Sequence, residues 1–170
     1  MKIALVCPFD FSKPGGVRSH VEYLSDELTR PGHKVMIYAP FSNKGDANGN
    51  DFFSVGKAVP LPLFGAGTVS RINLSFWNYP ELERRFISER YDIIHVHSPE
   101  VPLLGPAAIY CADPDLSTIV TTFHNNSMPS VMVSAYAKVA RAVANRFRLL
   151  EKSDLCIAVS EVAAESIRRY

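Results

Sequence analysis

A chain of 170 residues with 47% hydrophobic side chains can bury a sizeable single core, and its net charge of +1 gives no general basis for nucleic-acid binding. Its three cysteines, Cys7, Cys111 and Cys156, sit mostly in apolar runs with no C-x-x-C pair and no zinc spacing. That excludes a disulfide framework and suits reduced thiols in a cytoplasmic compartment.

Lys2 and the apolar run after it stop at Pro8 and Asp10, too soon for a membrane span and without a small-residue cleavage site. The run Ile3-Ala4-Leu5-Val6-Cys7 instead reads as a buried parallel strand. Pro14-Gly15-Gly16-Val17 joins it to a helix whose buried stripe is Val17, Val21, Leu24 and Leu28. Gly32 ends that helix, and Lys34 to Ala39 forms a second strand stopped by Pro40. Phe41 to Gly56 carries Asn, Asp and Gly without apolar period and reads as a surface loop. Lys57 to Leu63 is a candidate edge strand, since Pro60 and Pro62 bar it from a sheet centre, and Phe64 to Pro80 reads as a second long connection.

Glu81 to Arg90 is predicted helical, Ile93 to His97 a buried strand, and Val101 to Ala112 a helix with Pro102 in its first turn. Thr118 to Phe123 is a β-branched strand leading to His124. Val131 to Lys152 is predicted helical, Leu155 to Val159 is another strand, and Ser160 caps a last helix to Tyr170. Strands alternating with helices make this an α/β chain with a doubly wound, mainly parallel sheet, whose ligands sit beyond the carboxyl ends of the strands. Three loops then matter: Phe9 to Gly16, His97 to Glu100, and His124 to Ser127.

Two glycines between strand and helix allow two explanations. They serve a tight turn, or they let a phosphate or carboxylate approach the N–H groups and positive dipole end of the helix. His124, at a strand end before Asn125-Asn126-Ser127, can hydrogen-bond a substrate hydroxyl or merely cap the strand, and its position favours the site. His95 and His97 lie two apart and share one strand face. No third metal ligand is suggested nearby, so they read as satisfied buried or semi-buried histidines, with His97 still in reach of the site. His20 reads as a packing histidine. A nucleophile elbow, a Walker lysine and G-x-G-x-x-G are all absent, which argues against a hydrolase triad, a phosphate-transfer loop and a nicotinamide cofactor. Lys138 to Lys152 pairs a basic face with Val139, Val143, Phe147 and Leu150. It is a candidate for peripheral contact with an anionic membrane, or a solvated face packed on the sheet.

Five motifs stand in one order. They are Pro14-Gly15-Gly16-Val17-x-x-His20-Val21; Gly32-His33-x-Val35; Asp92-Ile93-Ile94-His95-x-His97-x-Pro99; Thr122-Phe123-His124; and Ile157-Ala158-Val159-Ser160. In this order they resemble family 4 retaining glycosyltransferases, and Val6-Cys7-Pro8-Phe9 with Gly56-Lys57-Ala58-Val59-Pro60 is similar to the bacterial phosphatidylinositol mannosyltransferases among them. The resemblance implies a GT-B architecture of two Rossmann-like domains. Residues 1–170 would be the N-terminal, acceptor-binding domain, with the donor-binding domain and its E-x7-E motif beyond Tyr170 and absent from this chain.

It also implies retaining transfer of a hexose, mannose first, from a nucleotide sugar without a bound metal or cofactor. Gly15 and Gly16 would face the donor's diphosphate, and His124 would stand beside the transferred sugar as the catalytic position. Phe9, Arg18, His97, Glu100 and Asn125 would line the acceptor site. Phe9, Arg18, Glu100 and Pro129 stand where those mannosyltransferases typically carry tyrosine, glutamine, asparagine and lysine. A lipid-linked acceptor and a soluble polyol or sugar are therefore both expected candidates. From another class, a non-catalytic Rossmann-like ligand-binding domain, or a subunit needing a separate partner, fits the same strand–helix series.

Overall fold

The computed structural model describes residues 1–42, 51–61, 70–73, 79–124 and 148–168, with the single positions 138, 142 and 145 (the side chains of 61, 70 and 166 excepted). Strand β1 (Lys2–Val6) is followed by α1 (Gly16–Thr29), β2 (Lys34–Ala39) and β3 (Phe52–Ser54). A hairpin of β4 (Ala58–Leu61) and β5 (Ser70–Asn73) comes next, then α2 (Tyr79–Glu89), β6 (Ile93–His97) and α3 (Leu104–Cys111). Strand β7 (Thr118–Phe123), strand β8 (Leu155–Ala158) and helix α4 (Glu161–Ile167) complete the order.

Six strands form one sheet in the order β3-β2-β1-β6-β7-β8, and every pairing in it is parallel. The chain winds outward from β1 to one edge, then returns to β6 and winds to the other. The reversal between β1 and β6 opens a crevice at their carboxyl ends, where doubly wound sheets bind ligands. The Rossmann-like fold expected from the sequence is the fold found.

Alternation along β1 divides the core. Ala4 and Val6 face one side, with Leu82, Phe86, Leu104, Ala107 and Ala108 from α2 and α3. Ile3, Leu5 and Cys7 face the other, against Val21 of α1, with Val17, Leu24 and Leu28 partly buried beside it. The stripe read from helical spacing thus meets the sheet. Gly32 ends the α1 turn with φ +88°, a conformation that favours glycine, and its N–H donates to Thr29 O at 2.9 Å.

Several boundaries need correction. The stretch 41–56, read as a loop, contains β3, which pairs Phe52, Phe53 and Ser54 with Ile37, Tyr38 and Ala39. Three residues are too few to show a period in sequence. The connection 64–80 contains β5, antiparallel to β4, with Pro60 opposite Arg71. A two-stranded ribbon has free edges, so a proline lacking an N–H is accommodated there. Helix α3 starts at Leu104, so Pro102 precedes it and Pro106 is the proline of its first turn. Residues 148–152, expected at the end of a long helix, are turns, and α4 stops at Ile167 rather than Tyr170. Ser160 caps α4 as expected, its Oγ accepting from the Ala163 N–H at 3.2 Å.

The hairpin has a further consequence for the crevice. Its β5 strand holds the loop after β1, with Asp10 N–H donating to Arg71 O at 2.9 Å and Asn73 N–H to Pro8 O at 3.1 Å. The loop that leads to Gly15 is therefore anchored from outside the main sheet.

Candidate functional site

The loop after β1 is shaped by a buried carboxylate. Asp10 is 3% exposed, and its Oδ1 accepts from Ser12 N–H at 3.0 Å, Ser12 Oγ–H at 2.7 Å and Ser42 N–H at 3.2 Å. Burial alone would raise its pKa, but the hydrogen bonds from Ser12 and Ser42 outweigh burial and hold it below the ordinary value. Asp10 is thereby a charged staple of the loop. The sequence motifs do not single it out, although an Asp two residues before a Ser is a common turn signal.

Gly15 caps α1 in extended backbone, with φ −176° and ψ 150°, which any residue adopts. Among the described residues the positive-φ glycines are Gly32 and Gly56, so neither Gly15 nor Gly16 is required by a left-handed turn. A Cβ built on either glycine meets no heavy atom of the described residues within 4 Å. Of the two explanations open in sequence, the tight turn loses its basis, and open space lies before the helix N-terminus. The first turn of α1 has no acidic residue, which leaves its positive dipole end unopposed from within the helix.

Adjacent parallel strands bring the histidines together. His97 of β6 is in register with Thr122 of β7, so His124, two residues on, projects from the same face just past the strand end. His97 Nδ1 and His124 Nε2 are 3.0 Å apart, one donating to the other. His95 stacks on His97 with ring centroids 4.3 Å apart and shares a 2.7 Å hydrogen bond between its Nε2 and Thr122 Oγ. His20, one turn beyond Gly16, presents its ring edge-on to His97 at 5.6 Å and to His124 at 4.9 Å.

Burial sets the protonation of this group. It pulls His124 down to about 4, with the His20 charge acting the same way. It pulls His95 to about 4, assisted by His20 and His124. His97, fully buried, is held well below its ordinary value by burial first and its histidine neighbours second. At neutral pH these three rings are uncharged, and each has one N–H donor and one lone-pair nitrogen. Such a ring can orient a hydroxyl without leaving an isolated charge in the crevice.

The structure thus brings Gly16, His20, His97 and His124 to one end of the sheet. His95 is half-buried and bonded to Thr122, the semi-buried, satisfied histidine that was expected. His20 corrects the expectation of a packing histidine: it is exposed and faces the pair. A third nitrogen ligand close to His97 is likewise absent from the sequence expectation, because the partners come from α1 and β7 rather than from neighbouring sequence. The signal lies in the spacing of Gly16 and His20, which puts both over one side of the first turn.

Other expected positions stand apart. Arg18 is about 200° round the helix from His20, and its Nε and Nη2 donate to Glu22 Oε1 at 2.9 and 2.7 Å. Its guanidinium lies 5.7 Å from the Phe11 ring centre. Phe9 packs against the core beneath α1, and its backbone bridges to Ile72. Glu100 is 6% exposed in the turn after β6. That turn is held close to α3 by Gly105, where a Cβ would come within 3.0 Å of Pro99 Cα. Asn125 and Pro129 lie outside the described residues, as do residues 139–141, 143, 144, 146 and 147 of the stretch 138–152. Within that stretch Lys138, Arg148 and Lys152 are exposed, and Arg148 pairs with Glu151. Among the described residues, no helix is long and apolar enough to cross a membrane.

Similarity to known proteins agrees with the fold. A phosphatidyl-myo-inositol mannosyltransferase of Mycolicibacterium smegmatis is 34% identical over 141 residues, covering 83% of this chain and 35% of that protein. Its counterpart in Mycobacterium tuberculosis, of the same name, is 32% identical over 163 residues, covering 96% of this chain and 40% of that one. Among solved structures, sucrose-phosphate synthase from Thermosynechococcus elongatus superposes with a TM-score of 0.60 at 17% identity, over 99% of this chain and 45% of its own. That last likeness speaks for the fold alone. The chain therefore spans less than half the length of each of these proteins. The model of Glycosyltransferase Family 4 matches residues 14–170, from Pro14 before the paired glycines through the last helix, and the chain belongs to that family.

Proposed function

We propose that this chain is the acceptor-binding, Rossmann-like half of a retaining glycosyltransferase that moves a hexose, mannose first, from a nucleotide sugar to a lipid-linked, polyol or sugar acceptor. The observation that carries the reading is the neutral His97–His124 pair standing beside the open N-terminus of α1. The donor's diphosphate fits the space before Gly16, where a backbone without side chains lets phosphate oxygens meet helix N–H groups. His124 then hydrogen-bonds a hydroxyl of the transferred sugar, and His97 holds its ring in orientation.

In the retaining reaction the acceptor oxygen bonds to the anomeric carbon on the face from which the diphosphate leaves. The acceptor's proton passes to the departing phosphate oxygen, so no base is asked of His124. The reading calls on no metal or cofactor. It places most donor contacts on a second domain, for which the relatives' greater length leaves room. It also places the protein in the cytoplasm, with residues 138–152 as the candidate contact with an anionic membrane face.

The test is turnover by the protein together with its donor domain, against a panel of nucleotide sugars and acceptors with product analysis. Transfer with retained anomeric configuration, lost in His124→Ala, supports the reading. A protein that binds these ligands and transfers nothing supports the non-catalytic binding domain instead.

A further inference from the structure

The three histidines from α1, β6 and β7 offer one ring nitrogen each, and these lie within 4.8 Å of one another. Among the described residues no carboxylate belongs to the group, and the three come from separate elements, so no local sequence motif announces them. His97 has no exposed surface, and its Nε2 finds no hydrogen-bond partner among the described residues. The nitrogen that faces the group is the other one, Nδ1, 3.0 Å from His124 Nε2, and a proton carried on Nε2 leaves the Nδ1 lone pair for an ion.

We propose that His20, His97 and His124 form a binding site for a borderline divalent transition-metal ion of the zinc class. Metal–nitrogen bonds of about 2.0–2.1 Å place tetrahedral ligand nitrogens about 3.4 Å apart. The His97–His124 nitrogens, at 3.0 Å, need to part by only a few tenths of an ångström. His20 is exposed on the first turns of α1, so its side chain is free to swing the remaining distance. Three imidazoles suit zinc, cobalt, nickel or copper, whereas magnesium and calcium select oxygen ligands. Three protein nitrogens also leave a fourth position open for water, a hydroxyl or a phosphate oxygen.

A bound ion would engage His124 and fill space beside Gly16. The metal therefore acts as an inhibitor that competes for the crevice, not as a participant in transfer. The inference rests on the histidine geometry and not on glycosyl transfer.

The experiment is titration of the purified, tag-free protein with cobalt(II), read by visible absorption, without nucleotide or acceptor, followed by zinc displacement. One equivalent should give the intense spectrum of a tetrahedral cobalt site and be displaced by zinc, with magnesium inert. His20→Gln, an exposed helix position that leaves the fold intact by circular dichroism, should weaken binding more than about tenfold. His124→Gln should do the same, and His33→Gln should not. A weak octahedral spectrum, no bound cobalt, or equal affinity in wild type, His20→Gln and His124→Gln overturns the proposal. A metal-binding protein without transferase activity would leave this site standing and remove only the glycosyl-transfer reading.

Discussion

Strand β6 shows two regions of the molecule under different rules. On one face Ile94 and Val96 are fully buried under α2 and α3, in an aliphatic core with Leu82, Phe86 and Ala108. On the other face, one residue along, His95 and His97 take equally central positions and stack against each other. Both faces are packed, yet only the second places polar rings where a leucine would serve stability better. Burying an imidazole with an unpartnered nitrogen costs free energy that an aliphatic side chain does not incur. The aliphatic face supports the sheet, and the histidine face is the one on which the proposed chemistry rests.

The largest expected effect separates two glycines. Gly16→Val should abolish turnover in the complete enzyme with little change in melting temperature, since a Cβ there meets no heavy atom of the described residues within 4 Å while the side chain fills the proposed diphosphate space. Gly105→Val should do the reverse, because its Cβ would crowd Pro99 Cα at 3.0 Å and push α3 off the loop after β6. Turnover and thermal unfolding on the same samples check both. A folded Gly16→Val enzyme with near-normal activity would sink the donor assignment.

Next comes His124→Ala, expected to lower kcat by about a hundredfold or more, in the range for removing a preorganised hydrogen-bond donor, without a large loss of stability. Leu82→Ala, from the opposite face, should cost about 2–5 kcal/mol by deleting buried methyl groups and leave specific activity of the folded fraction intact. If both substitutions destabilise alike with activity per folded molecule unchanged, the histidine face is merely another core.

Much of this division can be read without coordinates, and some cannot. Alternating burial along β1, the α1 stripe and the strand-end place of His124 all follow from local periodicity, which a single sequence carries. The pairing of His97 with His124 depends on register between strands 27 residues apart. Register is set by how two faces pack, so no local pattern gives it away. His20 joins them only because the first turns of α1 bring its ring against those of His97 and His124 at the strand ends. Strands β3 and β5 leave no sequence signal because three or four residues are too short for a period. Arg18 illustrates the converse risk. Position along the chain suggests a cation near the acceptor, while helix phase turns it away to Glu22.

A smaller effect is expected from pH. His95 and His124 are depressed to about 4, and His97 also lies below its ordinary value. Their folded forms resist protonation, so as pH falls below about 6.5 the unfolded chain binds protons that the folded chain does not. Stability should therefore be flat above neutrality and decline between about pH 6.5 and 4. Asp10, depressed below 3.8, adds its own loss only beneath that window. Denaturant melts at several pH values check this, and His124→Ala should flatten the decline. A protein equally stable at pH 7.5 and 5 would mean that the buried rings accept protons freely.

The smallest expected effect concerns the acceptor's charge. Arg18 is engaged by Glu22 in a two-pronged contact on the side of α1 away from the histidines. Glu100 is buried in the turn directly after His97, so of the two it stands nearer the crevice. At an effective dielectric near 20, unit charges about 4 Å apart interact by roughly 4 kcal/mol, and the interaction halves when the distance doubles. Glu100→Asn should then improve use of phosphorylated or phospholipid acceptors relative to neutral polyols, by a few-fold in kcat/KM. Arg18→Gln should change that ratio by less than twofold, because the guanidinium's charge is already met by Glu22 and solvent. Competition assays between one phosphorylated and one neutral acceptor measure the ratio directly. A loss of phosphorylated-acceptor use in Arg18→Gln, with Glu100→Asn silent, would show that the acceptor lies along the Phe11 side of α1 and not over the histidines.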